Sequence, residues 1–154
     1  MKRKFFGLFC VVLLVSVFSG ASSAQRNVTQ AIGRDPLMEA DAKHNLDVAW
    51  QAFGPGRQAY KQVILRFDET FAAYPDFSKI DEFLYLAGMS SYYLSENKGK
   101  QKVDTKSEKE MKKFGPSKLK EDAIGYLSLL VEKHPDSQYV DEARKTLDII
   151  KTKN

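Results

Sequence analysis

Apolar and polar positions in this 154-residue chain follow a helical period through most of its length. Leu46, Ala49, Trp50 and Phe53 recur at i, i+3, i+4 and i+7, the spacing that lines one face of an α-helix. Asp35-Pro36 ahead of them offers an N-cap and a proline suited to the first helical position, and Gly54-Pro55-Gly56 stops the run. Tyr60, Val63, Ile64, Phe67, Phe71 and Tyr74 predict a second helix that opens near Arg57 and closes at Pro75-Asp76. A third is predicted over residues 78–95, with Ile80, Phe83, Leu84, Ala87 and Ser91 on one face. Gly115-Pro116-Ser117 announces a fourth, whose body is 123–133 and whose end is Pro135. A fifth, over 137–151, carries Val140, Ala143, Leu147 and Ile150. No segment alternates with a period of two, so the expected fold class is all-α.

The second and fourth helices end alike. Pro75-Asp76 and Pro135-Asp136 lie sixty residues apart, and Ile80-Asp81-Glu82 is answered at the same offset by Val140-Asp141-Glu142. Proline turns the preceding residue away from the α region, and acids favour the helix N-terminus that follows. The repeating unit is therefore a helical hairpin. In this grammar the chain resembles the tetratricopeptide family. Ala123-x₃-Leu127 before Pro135 and Ala87-Gly88 in the preceding helix match the family pattern, and Val63-x₃-Phe67 before Pro75 matches it with Val63 in place of alanine. The resemblance implies two tetratricopeptide-like hairpins plus a C-terminal capping helix, with a long basic insertion, residues 97–118, in the second hairpin. The Tyr-Pro-Asp and His-Pro-Asp breaks also resemble the periplasmic BamD-like subclass of outer-membrane assembly lipoproteins, without that group's lipidated cysteine.

The first residues have another character. Lys2, Arg3 and Lys4 precede an apolar run, residues 5–18, and Ser22-Ser23-Ala24 supplies small residues for cleavage. That order is a signal peptide over residues 1–24, cut after Ala24. The run is shorter than the ~20 residues of a membrane-spanning helix. Residues 25–34 read as a flexible lead-in and 35–154 as the helical domain. Cys10, the one cysteine, stands inside the apolar run behind Phe9, where a lipoprotein signal would need a small residue, so it is not read as a lipidation site. Without the leader's three cations, 21 Lys and Arg face 20 Asp and Glu. The basic pI thus comes largely from the leader and gives no support for nucleic-acid binding. The expected location is periplasmic or secreted.

Candidate chemistry is sparse. The two histidines, His44 and His134, have no metal spacing between them, and no cysteine lies beyond residue 10 to complete a site. Asp81-Glu82 and Asp141-Glu142 are explained by their first-turn positions, where negative charge is worth roughly 0.3–1 kcal/mol. Gly54-Pro55-Gly56-Arg57 lacks the phosphate-loop pattern, and no nucleophile elbow occurs. No catalytic, cofactor or metal residue is expected, and the chain is not expected to be an enzyme. Tyr85, Tyr92 and Tyr93 crowd the third helix and are its candidate partner-binding residues; Tyr85 and Tyr93 fall off its main apolar face, where an exposed partner surface is expected. The insertion holds eight lysines and three acids, a net charge of +5. Such a run is ordinarily solvated and mobile; Lys98, Lys100, Lys102, Lys112 and Lys113 are its candidate contacts. The expected function is a periplasmic adaptor for a protein or peptide partner in envelope or outer-membrane assembly. The alternative is a peripheral envelope protein that docks to an anionic membrane surface or polymer through the insertion.

Overall fold

A computed structural model describes residues 34–152 of the chain. The expected leader, its expected cut after Ala24 and nearly all of the expected lead-in lie outside the described residues. Six helices are described in chain order: α1 Pro36–Phe53, α2 Tyr60–Ala73, α3 Ile80–Ser95, α4 Glu108–Phe114, α5 Pro116–Lys133 and α6 Val140–Thr152. The described residues contain no strand. None of their helices is long and apolar enough to cross a membrane.

Local chemistry sets the boundaries. The Asp35 carboxylate accepts from the Leu37 N–H at 2.8 Å, with Pro36 at the first helical position. The Gly54 N–H closes α1 on the Trp50 carbonyl at 3.0 Å. The two Pro-Asp breaks match bond for bond. After α2, Tyr74 N–H bonds Thr70, Phe77 bonds Tyr74 and Ile80 bonds Phe77; after α5, His134 bonds Leu130, Ser137 bonds His134 and Val140 bonds Ser137. Every donor and acceptor in the second set is the first displaced by sixty residues. A second echo stands at the other end of the same helices: Phe53-Gly54-Pro55 leads toward α2 and Phe114-Gly115-Pro116 into α5, with both glycine N–H groups bonded four residues back.

Packing runs α1 on α2, α2 on α3, α3 on α5 and α5 on α6. The middle of this order is α3, which touches α1, α2, α5 and α6 and buries twelve of its sixteen residues. Small residues make that possible. A Cβ on Gly88 would lie 2.6 Å from the Leu127 side chain, so α3 and α5 approach as closely as they do because position 88 is glycine.

The acids that open α3 tie its neighbours together. Glu82 accepts from the Trp50 indole N–H of α1 at 2.6 Å. Asp81 accepts from the Ser137 hydroxyl, just ahead of α6, at 2.6 Å. Glu39 of α1 accepts from the Ser78 N–H, just ahead of α3, at 3.2 Å. First-turn acids thus do more than favour their own helix.

Residues 97–118 are anchored rather than free. Ser107 caps α4 by accepting from the Glu110 N–H at 3.3 Å, and Phe114 at the end of α4 is buried among Tyr60, Ile64, Leu94 and Leu119. Lys61 of α2 bonds Glu110 at 2.7 Å, the Lys100 N–H bonds the Gln58 carbonyl at 3.1 Å, and Gln101 accepts from the Gln62 N–H at 3.3 Å. The segment is held along the start of α2.

Candidate functional site

Aromatic rings form a connected strip across the helices. Tyr139 stacks on Tyr85 at 4.5 Å between centroids, Tyr85 meets Trp50 at 6.4 Å, and Trp50 meets Phe53 edge-on at 5.9 Å. Phe53 stacks on Tyr93 at 6.1 Å, and Tyr93 reaches Tyr60 and Tyr92. Trp50, Phe53, Tyr93 and Tyr139 are half-buried. Glu82 and Glu142 stand along this strip. Burial first, and then the neighbouring Glu142 carboxylate, raises the Tyr85 phenol well above its ordinary value. Burial likewise raises Tyr93 and Tyr139. These rings are neutral surfaces with a polar tip, suited to contact rather than to proton transfer.

The three tyrosines singled out from the sequence divide. Tyr85 and Tyr92 are buried, at 6% and 7% exposure, and Tyr93 is half-buried. The expectation that Tyr85 and Tyr92 are open to a partner is therefore corrected. Its cause is the central place of α3: positions off the main apolar face meet α1 and α6, so a second face is covered as well. The half-buried rings nearby, Trp50, Phe53 and Tyr139, cannot be told from core rings by the period of one helix, which marks a preferred face but not how fully it is covered.

The lysines divide too. Lys98 lies over the Tyr92 and Tyr93 rings, 5.8 and 5.4 Å from their centroids, within cation–π range. The Lys100 ammonium donates to the Gly56 carbonyl at 2.6 Å and Lys102 to the Asn97 carbonyl at 2.6 Å. Lys113 pairs with Asp68 at 3.2 Å. Lys112 is exposed and faces a cleft.

That cleft, about 430 Å³, lies between α2, α4 and α5. Lys109, Lys112 and Lys113 reach it from α4 and Lys118 from α5. Its carboxylates, Asp68 and Asp122, are occupied by Lys113 and Lys118 respectively. Tyr126 donates to Asp68 at 3.5 Å, and burial first, then Asp68, raises its phenol. Lys109 and Lys112 have no carboxylate within ion-pair distance among the described residues, so the cleft keeps two uncompensated cations. Lys109 and Lys118 were not singled out from the sequence. The available signal was Ser107-x-x-Glu110, a capping-box pattern that marks a helix start and puts lysines 109, 112 and 113 at helical spacing. Among the described residues no group of three or more His, Cys, Asp or Glu is placed to hold a metal ion.

The family model "YfiO: Outer membrane lipoprotein" matches residues 20–153. No curated protein and no solved structure matches the chain.

Proposed function

The chain belongs to the YfiO family of outer membrane lipoproteins, and from that membership we propose that it is a non-enzymatic interaction module of the cell envelope, exported by its leader, that engages a protein or peptide partner. Within it, α1 with α2 and α3 with α5 are two tetratricopeptide-like hairpins, α6 is a cap, and residues 97–118 are a basic insertion in the second hairpin. The duplicated Pro-Asp hydrogen-bond pattern supports the two-hairpin reading. So does the contact of Gly88 with Leu127, because both occupy positions that the tetratricopeptide pattern reserves for close packing. The matched span 20–153 contains no cysteine, and Cys10 lies ahead of it.

The observation that carries the functional reading is the strip of half-buried rings. Trp50, Phe53, Tyr93 and Tyr139 are half-buried and form a continuous row, with Glu82 and Glu142 beside them. Rings already packed on their inner sides lose little entropy when a partner covers them, and Tyr and Trp are enriched at interfaces for that reason. Glu82 is already paired with Lys79, so it is the exposed Glu142 carboxylate that favours a partner segment with basic as well as apolar side chains.

Site-specific photo-crosslinking tests this. A photoreactive residue at position 139 or 93 is expected to trap a discrete protein partner in intact envelopes. The same residue at the exposed position 133, at the end of α5, is expected to trap none. Equal trapping at all three positions, or none at the strip, refutes the reading.

A further inference from the structure

We infer that the cleft between α2, α4 and α5 binds the phosphate of an anionic lipid headgroup. The inference rests on the envelope setting proposed above but on no residue of the aromatic strip, so each can fail without the other.

The argument begins with which lysines remain available. Lys98, Lys100 and Lys102 are engaged by aromatic rings or carbonyls of the protein itself. Lys113 and Lys118 each hold a carboxylate in the cleft wall. Lys109 and Lys112 are exposed, face the same cleft and have no carboxylate partner among the described residues. Two ammonium groups without a carboxylate partner are backed by two more, and four lysines against the two lining carboxylates leave the cleft a net charge of +2, a site of positive potential. A concave wall concentrates that potential and supplies several N–H donors to one tetrahedral oxyanion.

Two features favour a lipid over a free ion. The cleft, about 430 Å³, is half open to solvent, so a headgroup can enter it while the rest of the lipid stays outside. Apolar side chains also stand exposed on the elements that frame it. Leu65 and Phe71 lie three residues either side of Asp68 on α2, at 45% and 36% exposure. Residues three apart are neighbours on a helix surface. A basic cleft with exposed apolar groups beside one wall matches a membrane interface, where phosphate lies above glycerol and acyl chains.

The test uses protein recovered after export and vesicles of phosphatidylcholine with or without phosphatidylglycerol. Wild-type protein is expected to sediment with the phosphatidylglycerol vesicles at low salt and to be released as salt is raised, because screening shortens the reach of the charges. The double variant Lys109→Gln, Lys112→Gln should weaken that binding about 30-fold, on the usual worth of two lysines near an anionic surface. The arginine pair, Lys109→Arg with Lys112→Arg, should keep it. Equal binding by wild type and the glutamine pair, or equal binding to vesicles without phosphatidylglycerol, overturns the inference. So does a protein that ignores the vesicles while pyrophosphate shifts the NMR signals of Tyr126, which would make this a free-anion site. Far-UV circular dichroism confirms that each variant is folded.

Discussion

At Gly88 the missing side chain is what lets two helices meet. An added Cβ would overlap Leu127, itself fully buried, at 2.6 Å. Gly88→Ala gains helix propensity of at most ~1 kcal/mol, and overpacking of this kind costs about 1–3 kcal/mol. The net expectation is destabilisation. Leu127→Ala should cost about 2–5 kcal/mol by leaving a cavity. Combined, the two should cost clearly less than their sum, because the new methyl occupies space the leucine vacates; urea unfolding of the four proteins measures that coupling. Strict additivity would show that the contact does not matter. The small pair Ala87-Gly88 was legible in the sequence as a motif. Its partner was legible only through Ala123-x₃-Leu127, and the overlap that makes glycine necessary was not legible at all. Tyr85 is the opposite case. Its place off the main face suggested exposure, and the neighbours of α3 covered it.

Among the elements, α4 differs most from what hydrophobic periodicity foretold. Seven residues carry little pattern, yet Ser107 caps the helix, Phe114 anchors its end and Glu110 joins it to Lys61 of α2. The Lys61 ammonium, and next the Asp104 N–H, hold the Glu110 carboxyl below its ordinary value of 4.5. A carboxyl with a lowered folded-state pKa contributes stability that is present above its unfolded value and is lost as pH falls through the folded one. Amide exchange in α4 and the preceding residues 100–107 should therefore show faster local opening as pH drops below 4.5, relative to α3 amides after correction for intrinsic exchange. Glu110→Gln should remove that step. An unchanged profile in the variant would place the cause elsewhere. In contrast, the Pro-Asp breaks were legible in full, because proline and the helix N-terminus impose their geometry within a few residues of chain.

For the molecule as a whole, α6 is the element on which closure depends. Val140, Ala143, Leu147 and Ile150 are buried, and no further helix follows among the described residues. Ending the chain at Asp136 would uncover the α5 surface beneath them and remove the hydrogen bond from Ser137 to Asp81. At about 1.5–3 kcal/mol for each large buried side chain, the loss is on the order of 5 kcal/mol, comparable to the entire stability of a small domain. The truncated protein is expected to bind a hydrophobic dye and to unfold at much lower urea. An unchanged midpoint would mean that α6 is dispensable. At this scale the protein separates two chemistries: an aromatic and acidic strip borne mainly by α1 and α3, and a basic cleft among α2, α4 and α5.

Helical class, the duplicated break and the basic segment were already decided by the order of residues. Each depends on interactions within one or two helical turns, or on composition alone. Which tyrosines open to solvent and which lysines stay free were decided by the tertiary structure. A helical period marks the face a helix prefers to bury, but the number of neighbours it meets decides whether a second face is covered. A lysine finds its acceptor wherever the fold brings one within reach of its long stem, as Lys100 does at Gly56, forty-four residues away in the chain. The cations left over at Lys109 and Lys112 can be identified only after those partnerships are formed.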